Sequence, residues 1–239
     1  NLNYYKNGWA WDTKMIGAFG MNKNIDSEFA KKTDDRIEIN SLVGKNFTKE
    51  LSYSSFINFK TQFASGYKYS NSSVAAEQRT ETTRFFSPAY IQLGVGVYWK
   101  KSKDFWINMA PVTGRLIIAN KKFTSNLSDG EEYFGISKGN TSRFELGASL
   151  TGFYKFELIE NVILEQSLSL YSDYLQNAEN IDIDYTISAF MKINDYLSTS
   201  LIIQCKYDDN AVKKVQLREV FGLAVTLDLL EIPSLISKI

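Results

Sequence analysis

The sequence contains no histidine and a single cysteine, Cys205. Without an imidazole, the chain holds no Ser-His-Asp triad, no histidine metal site and no histidine proton switch. A lone cysteine excludes an internal disulfide and a cysteine-rich zinc site. Neither charge sign is in excess: Lys+Arg is 27 and Asp+Glu is 27. That argues against a nucleic-acid partner, whose electrostatic footprint is basic. Proline is scarce at 3 residues while aromatics reach 14%, which argues against a disordered chain. Long apolar runs are also missing, so no helix is expected to cross a membrane. The mean hydropathy is slightly negative. A transmembrane β-barrel has that value as readily as a water-soluble domain, because its strands alternate and average out.

What is present is alternation. In 181–194, Ile181, Ile183, Tyr185, Ile187, Met191 and Ile193 oppose Asp182, Asp184, Thr186, Ser188, Lys192 and Asn194. In 142–158, Leu146, Leu150, Tyr154, Phe156 and Leu158 oppose Arg143, Glu145, Ser149, Lys155 and Glu157. The same period of two runs through 198–207 and 215–229. Further strands are predicted at 1–6, 9–19, 35–46, 50–63, 88–100, 105–118 and 162–175. The count is about eleven, most of them roughly 10–14 residues long, against a usual soluble strand of about 5–6. Such strands reach the roughly 9–11 residues that a tilted bilayer crossing needs.

Connections alternate between tight and long. The tight ones are Asn7-Gly8, Asn46–Lys49, Lys101–Asp104, Ile159–Asn161 and Asn194–Tyr196; the long ones are 20–34, 64–87, 119–141, 176–180 and 208–214. A soluble sandwich has no reason to collect its long loops at one end, whereas an outer-membrane barrel does. Aromatics flank both ends of the apolar face. Trp9, Trp11, Tyr53, Trp99, Phe105 and Tyr154 lie toward the tight turns, and Phe19, Phe63, Phe144, Tyr174 and Tyr207 toward the long loops. Two aromatic girdles around an aliphatic band describe a membrane-embedded surface. The alternative is a soluble sandwich or lipocalin-like barrel with the apolar face as its core. The expected fold is therefore all-β: an antiparallel up-and-down transmembrane β-barrel forming one domain over 1–239, with 230–239 as a C-terminal tail.

Parity adds an expectation about closure. The first strand runs from the long-loop side to Asn7-Gly8, and the last ends on the tight-turn side. Bacterial single-chain barrels have even strand counts. A full barrel of about twelve strands is expected, with a signal peptide and at least one more N-terminal strand upstream, the latter pairing with 215–229.

On the polar face, charges of both signs alternate between neighbouring strands. A lumen ion-pair network is expected from Arg36, Glu38, Lys60, Arg143, Glu145, Asp182, Asp184, Lys206 and Arg218, with Asp12, Lys14, Glu165 and Lys192 on the same face. Phe56, Tyr90, Tyr98, Trp106, Phe153, Tyr171 and Phe190 also point inward and would narrow or occlude the lumen. Pro111-Val112-Thr113-Gly114 interrupts a strand, so a bulge or a bend is expected there, read either as a barrel corner that re-aims Arg115 or as a gate. Asp173, Asp182, Asp184, Asp208 and Asp209 gather near the long loops. Ca²⁺ is one reading of that group and pairing with Lys206 or Arg218 another; no metal or cofactor is assigned. No nucleophile–base motif marks an enzyme. Cys205 falls on the apolar face as a small hydrophobe.

Several blocks carry a resemblance. They are Lys32-Thr33-Asp34-Asp35-Arg36-Ile37-Glu38-Ile39-Asn40-Ser41, Asn58-Phe59-Lys60-Thr61-Gln62-Phe63-Ala64, Ser87-Pro88-Ala89-Tyr90, Pro111-Val112-Thr113-Gly114-Arg115-Leu116, Asn180-Ile181-Asp182-Ile183-Asp184 and Tyr207-Asp208-Asp209. Over about Trp11 to Leu229 the chain resembles an uncharacterised Bacteroidota family, the domain of unknown function three-zero-seven-eight. The resemblance implies a secreted outer-membrane barrel with further strands upstream, and no catalytic residues. The functional expectation is a non-enzymatic outer-membrane barrel, an accessory or scaffold subunit of a larger complex. Its partners would be outer-membrane lipid and other outer-membrane proteins or lipoproteins, and not nucleic acid. A narrow channel for small solutes is the alternative, and a lipid-modifying enzyme a more distant one.

Overall fold

The structure is a computed structural model, and it describes residues 1–25, 27–72, 75–176, 178–208 and 212–226. Eleven strands form one antiparallel sheet: β1 (Leu2–Lys6), β2 (Trp9–Asn22), β3 (Lys31–Asn46), β4 (Leu51–Thr61), β7 (Ala89–Lys100), β8 (Phe105–Ile118), β11 (Ser142–Ile159), β12 (Val162–Asp173), β13 (Ile181–Lys192), β14 (Leu197–Asp208) and β15 (Val212–Val225). Neighbours in the sheet follow chain order, so the topology is up-and-down. The long loops add short pieces: the hairpin β5 (Gly66–Ser72) and β6 (Ala75–Thr83), the single-turn helix α1 (Lys121–Thr124), and the pair β9 (Glu132–Tyr133) and β10 (Ile136–Ser137). Apart from β1, the strands of the large sheet run from 11 to 18 residues. The tail 230–239 lies outside the described residues.

The sheet is inside out by the standard of a water-soluble domain. Met15, Leu217 and Phe221 are 67%, 64% and 71% exposed, while Glu145 and Thr113 are fully buried. Residues opposite one another in an antiparallel ladder share a face. Cys205, opposite Tyr185 and Leu217, is thus on the apolar outer face. On that face near the tight turns, Trp99 meets Phe105 edge-on with ring centres 5.3 Å apart, Phe105 meets Tyr154 at 5.8 Å, and Tyr154 stacks on Phe156 at 4.9 Å. The tightest turn, Asn7-Gly8, has positive φ at both residues (52° and 74°), the geometry that Asn-Gly favours between paired strands.

The sheet curls far enough for distant strands to touch within it. Arg115 on β8 bonds Asp182 on β13 across two intervening strands. Closure along the backbone is absent among the described residues: β1 pairs only with β2, and β15 only with β14. The β1 partnership covers Trp9 to Thr13 and leaves the upper half of β2 without a neighbour on that side.

The interruption at Pro111 is a bulge. The register of β8 shifts against β7 between Val95 and Val97, and against β11 between Gly147 and Ser149. Proline has no N–H to give the ladder, so the irregularity costs little there. Pro111 and Val112 both face outward and are exposed, which reverses the inward parity of every residue that follows. Opposite the bulge, a Cβ on Gly96 would lie 1.9 Å from the Met109 carbonyl oxygen. Only glycine fits there. The gap it leaves lets Ser54 on β4 donate to Asn108 on β8 at 2.7 Å, across β7.

The long loops are more ordered than their composition suggests. Ile117, Ala119 and Ile136 form a small buried core with Tyr90, Tyr133 and Phe134 packed against it. Arg79 on β6 lies 4.4 Å above the Phe29 ring and 4.5 Å above that of Tyr67, fastening the hairpin to the loop after β2. These contacts join segments far apart in sequence, which is why local alternation alone leaves β5, β6, β9 and β10 undetected.

Candidate functional site

The polar interior is organised around Arg115. Its guanidinium donates to Glu145 at 2.5 Å and to Asp182 at 2.6 Å, and lies 3.9 Å from the centre of the Tyr171 ring. Arg143 holds the other Glu145 oxygen at 3.1 Å and approaches Asp173 at 3.6 Å. Two arginines and three carboxylates from β8, β11, β12 and β13 thus interlock where little water reaches. In that setting each depends on its partners. Asp173 and Arg115 both fall outside the network expected from the sequence. Extending the parity of Trp106 and Asn108 along β8 turns Arg115 outward; the bulge turns it in.

The remaining expected members are placed as follows. Glu38 and Lys60 face each other in register on β3 and β4, with Nζ and the carboxylate 3.8 Å apart. Glu38 instead accepts a closer bond from Asn40 Nδ2, at 2.7 Å. Asp184 and Lys206 are register partners, yet no ion pair forms between them: Gln204 donates to Asp184 at 2.8 Å, and Lys206 lies 3.8 Å from Asp208. Arg218 reaches Asp34 at 3.0 Å. Arg36 corrects the expectation. It forms no ion pair among the described residues, and its Nε is buried without a hydrogen-bond partner. Its register partner on β2 is Ala18, whose methyl side chain offers no acceptor.

Aromatic rings line the interior on the tight-turn side. Tyr98, Trp106 and Phe153 form a chain of rings with centres 5.7 and 6.0 Å apart. Phe56 occupies the space in front of Gly94, where a Cβ would come within 2.4 Å of it. A cavity of about 250 Å³ lies toward the long loops, bordered by Lys60, Tyr90, Arg115, Tyr171 and Asp182. Another of about 450 Å³ lies toward the tight turns, bordered by Tyr5, Asp12, Leu42 and Tyr98. No residue borders both.

Among the described residues, no group of three or more His, Cys, Asp or Glu side chains is arranged to hold a metal. Asp182 and Asp173 are instead taken up by arginines. Asp209 lies outside the described residues. Above the sheet, Glu81 is the hub of the loop contacts. Arg84, Lys122 and Ser65 all donate to it, and these bonds hold its carboxyl at about 2, below the usual 4.5. Through Lys122 that network ties α1 to the β5–β6 hairpin.

Residues 1–67 match the family described as a protein of unknown function, DUF3078. The DUF3078 segment runs from β1 through β4 into the start of β5, and so includes Arg36, Glu38 and Lys60. It covers the first two blocks that carry the resemblance. The blocks from Ser87 onward, and with them Arg115 and Asp182, lie beyond it. No curated protein matches the chain.

Proposed function

We propose that this protein is a non-enzymatic outer-membrane β-barrel that serves as an accessory or scaffold subunit of a larger assembly. One observation carries the reading: the sheet presents apolar residues outward and ion pairs inward, and among the described residues its β15 edge is unpaired. Exposed apolar faces of this extent favour a hydrocarbon environment over water. Among the described residues no helix is long and apolar enough to cross a membrane, which has no bearing on a crossing built from strands. An open edge cannot stand in hydrocarbon, because its N–H and C=O groups find no water there. A strand supplied to β15 would satisfy it. Glu219, outward and exposed on that same strand, adds a polar group suited to a protein neighbour.

The inward aromatic rings, Phe56, Tyr98, Trp106 and Phe153, support a scaffold over a channel. Fractionation of native membranes should place the protein with the outer membrane and recover it with a partner. Planar bilayers containing the purified protein should show no steady conductance. Stable single-channel steps would favour the narrow-channel reading. If Glu219→Leu leaves folding and partner recovery unchanged, Glu219 is not part of the contact.

A further inference from the structure

Two lysines and a tyrosine face the cavity near the long loops without adequate partners. Tyr171 is 4% exposed and borders the cavity, and its hydroxyl has no hydrogen-bond partner. A buried hydroxyl left unpaired costs free energy unless something in the cavity completes it. Lys60 and Lys206 border the same cavity from β4 and β14. Each ammonium carries three donors. Each has a single carboxylate nearby at 3.8 Å, beyond hydrogen-bond length.

Four carboxylates border the cavity, Asp35, Asp182, Asp184 and Asp208, and the first three are better supplied than the lysines. Asp182 takes Arg115 at 2.6 Å. Asp35 takes Lys32 at 2.7 Å and the backbone N–H groups of Phe63 and Ala64 at 2.7 and 3.0 Å. Asp184 takes Gln204 at 2.8 Å. The unfilled capacity is therefore for hydrogen-bond acceptors of negative charge, set between two walls of the curled sheet.

We propose that this cavity binds a small oxyanion-bearing solute, with its oxygens accepting from Lys60, Lys206 and Tyr171. Ammonium groups suit such an anion as mobile point charges, and a phenol hydroxyl adds a directed donor. A carboxylate and a phosphate share this chemistry. The inference stands on the interior geometry and not on the assembly reading, so either can fail alone.

The test is isothermal titration of the full chain in a neutral detergent, with succinate and inorganic phosphate as separate probes. At low salt, at least one probe should bind at a single site. Lys60→Met and Lys206→Met should each weaken that binding by about tenfold, and Tyr171→Phe by a smaller factor. The far-UV circular dichroism of each variant should stay that of the parent, which separates lost binding from lost folding. Which probe binds more tightly distinguishes a carboxylate from a phosphate ligand. Two results overturn the proposal: neither probe binding at about 10 mM, or binding that is indifferent to both lysine substitutions. Glucose, as an uncharged probe, should not bind in a manner sensitive to Lys60 or Lys206; if it does, the site is one for a neutral polyol.

Discussion

Arg218 on the last described strand donates to Asp34 on β3 at 3.0 Å, linking positions 184 residues apart. β15 is one edge of the sheet and β3 the third strand from the other, so the bond crosses the interval that backbone pairing leaves open among the described residues. Arg218 is 47% exposed and Asp34 30% exposed, which places the pair where salt and water weaken it.

Arg218→Glu should therefore lower the thermal transition only slightly, by no more than about 1 kcal/mol, because exposed pairs contribute little. Adding Asp34→Lys should restore it. At about 1 M salt, where the screening length is about 3 Å, the difference between parent and single variant should vanish. Chemical unfolding in detergent at low and high salt reads both. An effect that persists at high salt would mean that Arg218 acts through packing.

Arg115 should behave differently. Its carboxylate partners are at most 14% exposed, and Glu145 is wholly buried. Arg115→Met strands Asp182 without its cation and should cost about 3–5 kcal/mol. Neutralising the partners as well, in Arg115→Met with Glu145→Gln and Asp182→Asn, should recover part of the loss. If the triple variant is less stable than the single one, the charges are not mutually dependent. Guanidinium unfolding midpoints decide this.

Acid should loosen the loop contacts that Glu81 holds. The Glu81 carboxyl sits at about 2 in the folded protein against a usual 4.5, chiefly through Arg84, then Lys122 and Ser65. A depressed carboxyl stabilises the folded state fully above its unfolded value and loses that contribution as protons bind. The stabilisation is present above about pH 4.5 and is lost as the pH falls toward about 2. Hydrogen exchange across β6 and α1 should speed up over that range, and Glu81→Gln should flatten the dependence. An unchanged profile in the variant would assign the effect elsewhere.

Cys205 should label slowly with a water-soluble maleimide in intact membranes and quickly after denaturation. Its register partners Tyr185 and Leu217 lie on the apolar outer face, where a water-soluble reagent has little access. Fast native labelling would reverse the facing of β14.

Much of the sheet was legible because alternation is a local property. A strand with one apolar and one polar face declares its period within a few residues, as at Ile181–Lys192. Asn7-Gly8 declared its turn, because few residue pairs accept positive φ at both positions. The bulge at Pro111 was legible too, since proline cannot serve a central ladder. A re-aimed Arg115 was one reading of it, but the residues that Arg115 would meet were not legible. Which way Arg115 points depends on the register of β8 against both neighbours, and a one-residue slip turns every later side chain to the other face. Pairing among charges was likewise a matter of tertiary geometry. Asp184 and Lys206 stand opposite each other as the pattern implies, yet Gln204 takes the carboxylate and the ammonium turns to Asp208. Periodicity sets which face a residue occupies. Only the curvature of the sheet decides which residues of that face meet, because it brings together strands that are not neighbours in sequence, as Arg115 and Asp182 are brought together here.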